Sequence, residues 1–136
     1  MAILSFFPLF GFFYIGYFVL ALVGIFPNEL NHVVFEVNLP SGILWKPSLA
    51  VMVILFGLVA LFIELFKSTR TSSVSIIDHI LSTFVLVAFM VTWLIFEWAG
   101  NSTFLILTTM SFLDVIAGFT ITIASARRDF SLGGNQ

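Results

Sequence analysis

The chain contains no cysteine among its 136 residues. Disulfide bonds, thiolate metal sites, iron–sulfur clusters and dithiol redox chemistry are therefore excluded. Charge is also scarce, since charged residues make up 9% of the sequence against about 25% in a typical soluble domain. The net charge of −2 is too small to favour a nucleic acid as a partner.

Sequence signatures of catalysis are missing as well. The chain has no G-x-S-x-G elbow, no H-E-x-x-H motif and no glycine-rich phosphate loop. None of the predicted spans described below contains a lysine at its centre that could hold a Schiff base. We therefore expect neither an enzyme nor a bound cofactor.

Apolar residues are abundant instead, because 60% of the sequence is hydrophobic and phenylalanine alone contributes 18 residues. They are concentrated in four runs, each about long enough to cross a ~30 Å hydrocarbon core at ~1.5 Å per residue. The sequence thus predicts a single all-α integral membrane domain over residues 1–136, multi-pass and surrounded by lipid, with the bacterial inner membrane as the favoured location. The four predicted spans are Ser5–Phe26, Pro47–Phe66, Ile76–Trp98 and Thr103–Ala126.

The basic residues predict how the four transmembrane helices are oriented. Lys67 and Arg70 lie between the second and third spans, and Arg127 and Arg128 follow the fourth, whereas the other two loops contain only Lys46. Cytoplasmic loops carry an excess of lysine and arginine. We therefore expect both termini to lie in the cytoplasm (an N-in/C-in topology), with the first and third loops outside.

The first outer loop is long enough to form structure of its own. Leu30, Val33, Val34 and Val37 recur at the spacing of one helix face, which predicts a short amphipathic helix lying on the membrane surface. The alternation of apolar and polar residues within 33–37 is also compatible with a strand. The helix is the favoured interpretation.

Asp114 lies near the centre of the fourth span, where burying a carboxylate costs at least ~2.5 kcal/mol. Ser111 and Gly118 share its helix face, so we expect this small, polar face to pack against other helices. Tyr14 and Thr92 are candidate hydrogen-bond partners for the acid. Asp114 is interpreted first as an inter-helix packing contact, with a proton or cation carrier and a salt bridge to another protein as alternatives.

Most other ionisable residues fall near the ends of the spans. At a cytoplasmic rim, opposite charges can pair and basic side chains can contact anionic lipid headgroups. A lone histidine there is more often a polar contact than a ligand of a haem or a chlorophyll. The predicted rim residues are Glu64, Lys67, Arg70, Asp78, His79, Arg127 and Arg128.

Glu29, His32 and Glu36 would share one face of the predicted surface helix. Two carboxylates and an imidazole can bind a divalent ion. Such triplets are more often the solvated face of an amphipathic helix, so these residues are a weak metal candidate and no metal site is predicted.

Three functions are compatible with this sequence. The leading hypothesis is a non-catalytic accessory, structural or assembly subunit of a larger membrane protein complex. The alternative is a small oligomeric transporter or channel, coupled to protons or cations through Asp114, and the third is a lipid- or pigment-binding membrane protein. A transporter normally has a second intramembrane acid, a basic partner or interrupted helices, and the sequence pattern places none of these near the centre of a span.

Overall fold

The computed structural model describes residues 7–69 and 73–133. The described residues form four α-helices joined by short helical turns and one small hairpin, which confirms the prediction of an all-helical fold. The helices are α1 (Leu9–Leu22), α2 (Leu49–Ser68), α3 (Ser73–Ile95) and α4 (Ser102–Gly133).

Three of these helices, α2, α3 and α4, are long and apolar enough to cross a membrane. The chain is therefore compatible with a multi-pass membrane protein. The first helix is shorter than its predicted span, since its 14 residues extend about 21 Å at ~1.5 Å per residue. It ends where Gly24 adopts a φ of 77°, a left-handed conformation that glycine adopts without strain. The predicted start of this span at Ser5 lies outside the described residues.

The fourth helix is the centre of the bundle and packs against both α2 and α3. It runs parallel to α2, because Gly57 lies against Leu107 while Ser68 lies further along, against Gly118. It runs antiparallel to α3, whose early residue His79 also contacts Gly118. Glycines at these contacts allow close approach of the helices, as is typical of helix packing in lipid.

The first helix packs against α2 and α3, and its aromatic side chains also contact the beginning of α4. The Tyr17 ring meets the Phe104 ring edge-on with centroids 4.9 Å apart, and Phe89 of α3 lies 5.3 Å from Phe104. Phe10, Phe89, Phe104 and Leu107 are completely buried. We refer to these four residues, three of which are aromatic, as the aromatic layer, and they belong to the hydrophobic core of the bundle.

The prediction of an amphipathic surface helix in the first loop is wrong. The loop begins with a single 3-10 turn, Asn28–Asn31, and continues as a two-stranded antiparallel hairpin. Its strands are β1 (Val37–Asn38) and β2 (Leu44–Trp45). The strand interpretation of residues 33–37 therefore fits better, since Val33 also forms a β-bridge with Ser48.

Backbone pairing explains why no surface helix forms. The Val34 N–H donates to the Pro47 carbonyl at 3.0 Å, and the Leu49 N–H donates to the His32 carbonyl at 2.8 Å. These bonds join the loop to the residues that precede α2, so its backbone groups are satisfied outside a helix. β-branched valines also have a low helix propensity, and an isolated helix this short is marginal.

The connection between α3 and α4 is short and capped. It contains one 3-10 turn, Glu97–Ala99, after which Asn101 Oδ1 accepts a hydrogen bond from the Phe104 N–H at 3.0 Å. Asn101 Nδ2 also donates to the Tyr17 hydroxyl at 3.0 Å. One side chain thus begins α4 and ties it to α1.

Candidate functional site

Five ionisable side chains from three helices gather at the end of the bundle where α2 ends and α3 begins. Each either forms an ion pair with another member or lies close enough to one to interact electrostatically. We call this group the charged cluster. Its members are Glu64 and Lys67 of α2, Asp78 and His79 of α3, and Asp114 of α4.

Lys67 is shared by two carboxylates. Its Nζ lies 3.0 Å from Glu64 Oε2 and 3.1 Å from Asp78 Oδ1, and it donates to the Phe7 carbonyl at 3.4 Å. The side chains of Glu64 and Asp78 are only 1% and 6% exposed, whereas that of Lys67 is 19% exposed. A single ammonium therefore joins α2 to α3 and forms the most accessible part of the cluster.

Glu64 also holds the beginning of α1. Pro8 occupies the N-cap position and has no side chain that can cap the helix, and it is itself fully buried. The Leu9 N–H donates to Glu64 Oε1 instead. The positive end of the α1 dipole and an otherwise unpaired N–H thus both face this carboxylate.

Asp114 lies on the side of α4 that faces the bundle and is 4% exposed. Ser82 of α3 lies near its carboxylate. Among the described residues, its second oxygen, Oδ2, has no hydrogen-bond partner, and neither has Ser111 Oγ one helical turn away. Buried polar atoms are normally satisfied, so the hydrogen bonding of these two side chains is incomplete among the described residues.

The predicted partners of Asp114 pair with each other instead. The hydroxyls of Tyr14 and Thr92 lie 2.8 Å apart and join α1 to α3. They reach this geometry because the Tyr14 ring packs edge-on against Phe89, in the aromatic layer. Sequence reasoning missed Ser82 of α3, which lies near the acid.

His79 is buried and engaged within the bundle. Its Nε2 lies 2.8 Å from Thr122 Oγ1, and its ring lies against Phe119 at a centroid distance of 5.7 Å. Gly118 contacts the other side of the ring. This nitrogen therefore does not face outward to a haem or chlorophyll held by a neighbouring chain.

The structure separates the residues predicted at the cytoplasmic rim into two groups. Glu64, Asp78 and His79 are buried in the bundle rather than located at an exposed edge, because α2 continues to Ser68 and α3 already begins at Ser73. Of the other predicted residues, Lys67 is partly exposed, Arg127 and Arg128 lie on an exposed part of α4, and Arg70 falls outside the described residues.

The weak metal candidate is not assembled in the described part of the chain. His32 Nδ1 lies 3.9 Å from Glu29 Oε2, but Glu36 is paired with Lys46 at 2.6 Å. Residues 7–69 and 73–133 contain no group of three side chains placed to hold a metal ion.

A sequence signal for the charged cluster exists in α2. Its buried residues are Gly57, Ala60, Glu64 and Ser68, which recur at helical spacing along one face. Glu64 therefore belongs to the same small-residue face that brings α4 close to α2. An acid within such a face is expected to point into the bundle.

Comparisons with models of protein families, with curated proteins and with solved structures find no match to this chain.

Proposed function

We propose that this chain is a small multi-pass membrane protein that takes up and releases a proton at the charged cluster, as an oligomeric transporter or channel coupled to protons or cations. The observation that carries the proposal is the cluster of three buried carboxylates, Glu64, Asp78 and Asp114, around the single ammonium of Lys67. These residues include the second acid and the basic partner that a transporter site normally has.

The balance of charge supports uptake of a proton. When all three carboxylates are ionised and His79 is neutral, the negative charges of these described residues outnumber the positive charge of Lys67. Like charges in a poorly solvated site repel strongly. Uptake of a proton by Asp114, whose Oδ2 has no hydrogen-bond partner among the described residues, would relieve this repulsion, and its release would restore it.

The proposed topology places the charged cluster near the cytoplasmic side, at the end of the bundle next to the α2–α3 connection. Lys67, in the last turn of α2, and Arg70, which follows this helix in the sequence, support that assignment through the positive-inside rule. Lys67 is the most accessible of the ion-paired members of the cluster, so we propose that ions enter beside it.

A flux assay in liposomes tests this proposal. The purified full chain is reconstituted in liposomes that contain a dye sensitive to H⁺, Na⁺ or K⁺ in turn, and the movement of each ion is driven by an imposed gradient. We expect flux of at least one ion above that of empty liposomes, lost in Asp114→Asn and retained in Asp114→Glu.

The matched control is Thr120→Val. Thr120 lies on an exposed face of α4, where its hydroxyl bonds only to the Ile116 carbonyl of the same helix, so flux should remain at the wild-type rate. Absence of flux in the wild type, or equal flux in Asp114→Asn, would show that the charged cluster does not carry ions.

The second candidate is an accessory or assembly subunit of a larger membrane protein complex. The observation that favours an accessory role is an extension at the end of α4. This helix continues to Gly133, whereas its apolar stretch ends at Arg128. Phe130 in this extension is 84% exposed, and an aromatic side chain outside the apolar stretch is suited to contact a partner.

Gentle extraction from native membranes followed by native mass spectrometry tests this second candidate. A fixed stoichiometry with larger subunits, lost in Phe130→Ala, would support an accessory role. A bare homo-oligomer, unchanged in Phe130→Ala, would contradict it and favour the transporter or channel.

A further inference from the structure

The hairpin in the first loop exposes almost all of its apolar side chains. We call residues 33–45 the loop hairpin. Both of its faces are open, because its two strands contain only exposed residues. A two-stranded hairpin is at best marginally stable in water. Its exposed large apolar residues are Val33, Val34, Phe35, Val37, Leu39, Ile43, Leu44 and Trp45.

Charge does not offset this apolar surface. Glu36 is the one ionisable residue of the loop hairpin, and its carboxylate lies 2.6 Å from Nζ of the adjacent Lys46. Its formal charge is therefore balanced by its neighbour. Phe35 packs edge-on against Trp45 with ring centroids 5.8 Å apart, so two large aromatic rings lie side by side on the hairpin.

The position of the loop hairpin is set by α2. The bonds from Val34 to Pro47 and from Leu49 to His32 join the loop to the first turn of that helix. Leu49 is the first residue of a helix long and apolar enough to cross a membrane. The loop hairpin must therefore lie within a few residues of the point where α2 would enter the bilayer.

We propose that the loop hairpin lies in the interfacial layer of the bilayer, with its apolar side chains inserted at the boundary between headgroups and acyl chains. Trp45 and Phe35 are suited to this layer, where aromatic rings concentrate. The exposed apolar surface, the balanced charge and the attachment to α2 all fit a lipid surface. The hairpin ladder is only two residue pairs long, which leaves little free edge for pairing with a strand of another chain.

This inference rests on the membrane placement in the proposed function but not on ion transport. An experiment can therefore contradict hairpin insertion without contradicting ion transport, and the reverse. A chain without ion flux can still insert its hairpin, and a conducting chain can hold the hairpin in water. Insertion would fix the depth of α2, and with it the depth of Glu64.

Fluorescence of Trp45 tests the proposal in the full chain. The chain contains three tryptophans, and Trp93→Phe combined with Trp98→Phe leaves Trp45 as the only one. In phosphatidylcholine liposomes we expect blue-shifted emission, most of which is lost when bromines are placed high on the acyl chains, and weak quenching by aqueous iodide. Emission at the wavelength of free tryptophan with strong iodide quenching would overturn the proposal.

Dilution of the protein in lipid distinguishes the bilayer from a second copy of the chain. Protection from iodide should stay constant as the lipid-to-protein ratio rises. Protection that is lost on dilution would mean that another chain covers the hairpin, and the proposal would be wrong.

A second measurement avoids any disturbance from replacing Trp98, which packs against Tyr17 and Phe104. Because the chain has no cysteine, Ile43→Cys accepts a single nitroxide at an exposed position of the hairpin. Collision with oxygen should exceed collision with a water-soluble nickel complex. Phe84→Cys, on an exposed face of α3, is the lipid reference, and a nitroxide at 43 dominated by nickel collisions would contradict insertion.

Discussion

Gly118 and His79 are packed so closely that no side chain fits between them. A Cβ added at Gly118 would lie 2.7 Å from His79 Cε1 and 2.8 Å from His79 Nδ1. The backbone of α4 therefore forms one wall around the imidazole, and Thr122, one turn further along, binds its Nε2. The close packing of α4 against α3 therefore depends on residue 118 being a glycine, which has no side chain.

Gly118→Ala should consequently destabilise the bundle. The new methyl group must displace a buried ring, and overpacking of this kind costs about 1–3 kcal/mol. The measurement is loss of helical circular dichroism during denaturation in detergent. Gly16→Ala is the matched control, because a Cβ at Gly16 meets nothing within 4 Å and should leave stability unchanged or slightly raised. Equal stability of the two variants would contradict the close contact.

Lys67→Met should be among the most destabilising single changes in the chain. It removes the ammonium that Glu64 and Asp78 share, and an unpaired buried charge costs about 3–5 kcal/mol. Adding Glu64→Gln to this variant should restore part of the loss. Unfolding in detergent gives the free energies.

The control for Lys67 is the other lysine pair. Lys46 and Glu36 are about half exposed, and an exposed pair contributes only about 0–1 kcal/mol. Lys46→Met should therefore have a small effect. Similar losses in the two lysine variants would mean that Lys67 is solvated rather than buried in an ion pair.

Tyr14→Phe and Thr92→Val should each weaken the contact between α1 and α3. Both remove the same 2.8 Å hydrogen bond, which in a membrane is worth about 0.6 kcal/mol. A double-mutant cycle between the two residues should show coupling of that size. The same cycle between Tyr14→Phe and Asp114→Asn should show none, and coupling there would place Asp114 in contact with Tyr14.

Asn101→Ala should loosen the start of α4. The side chain caps the Phe104 N–H, and loss of such a cap costs about 1 kcal/mol. Hydrogen exchange of the Phe104 amide should accelerate in Asn101→Ala and much less in Asn101→Asp, which keeps the accepting oxygen. Unchanged exchange in the alanine variant would show that the cap does not form.

Much of this fold could be predicted from the sequence because it depends on local chemistry. A long apolar run satisfies its own backbone hydrogen bonds only as a helix, so α2, α3 and α4 lie close to the predicted spans Pro47–Phe66, Ile76–Trp98 and Thr103–Ala126. The first loop was mispredicted because its valines fit a helical stripe, while the bonds that decide its structure come from residues that precede α2.

Residue type and helical period are enough to predict the apolar helices and the position of Asp114 near the centre of the fourth one. That Glu64 and Asp78 share Lys67, that Ser82 lies near Asp114, and that Tyr14 pairs with Thr92 follows only from the arrangement of the helices in the bundle. Each of these contacts joins different helices. Helical periodicity sets the face on which a residue lies, but the shift and rotation of one helix against another come from how their side chains pack.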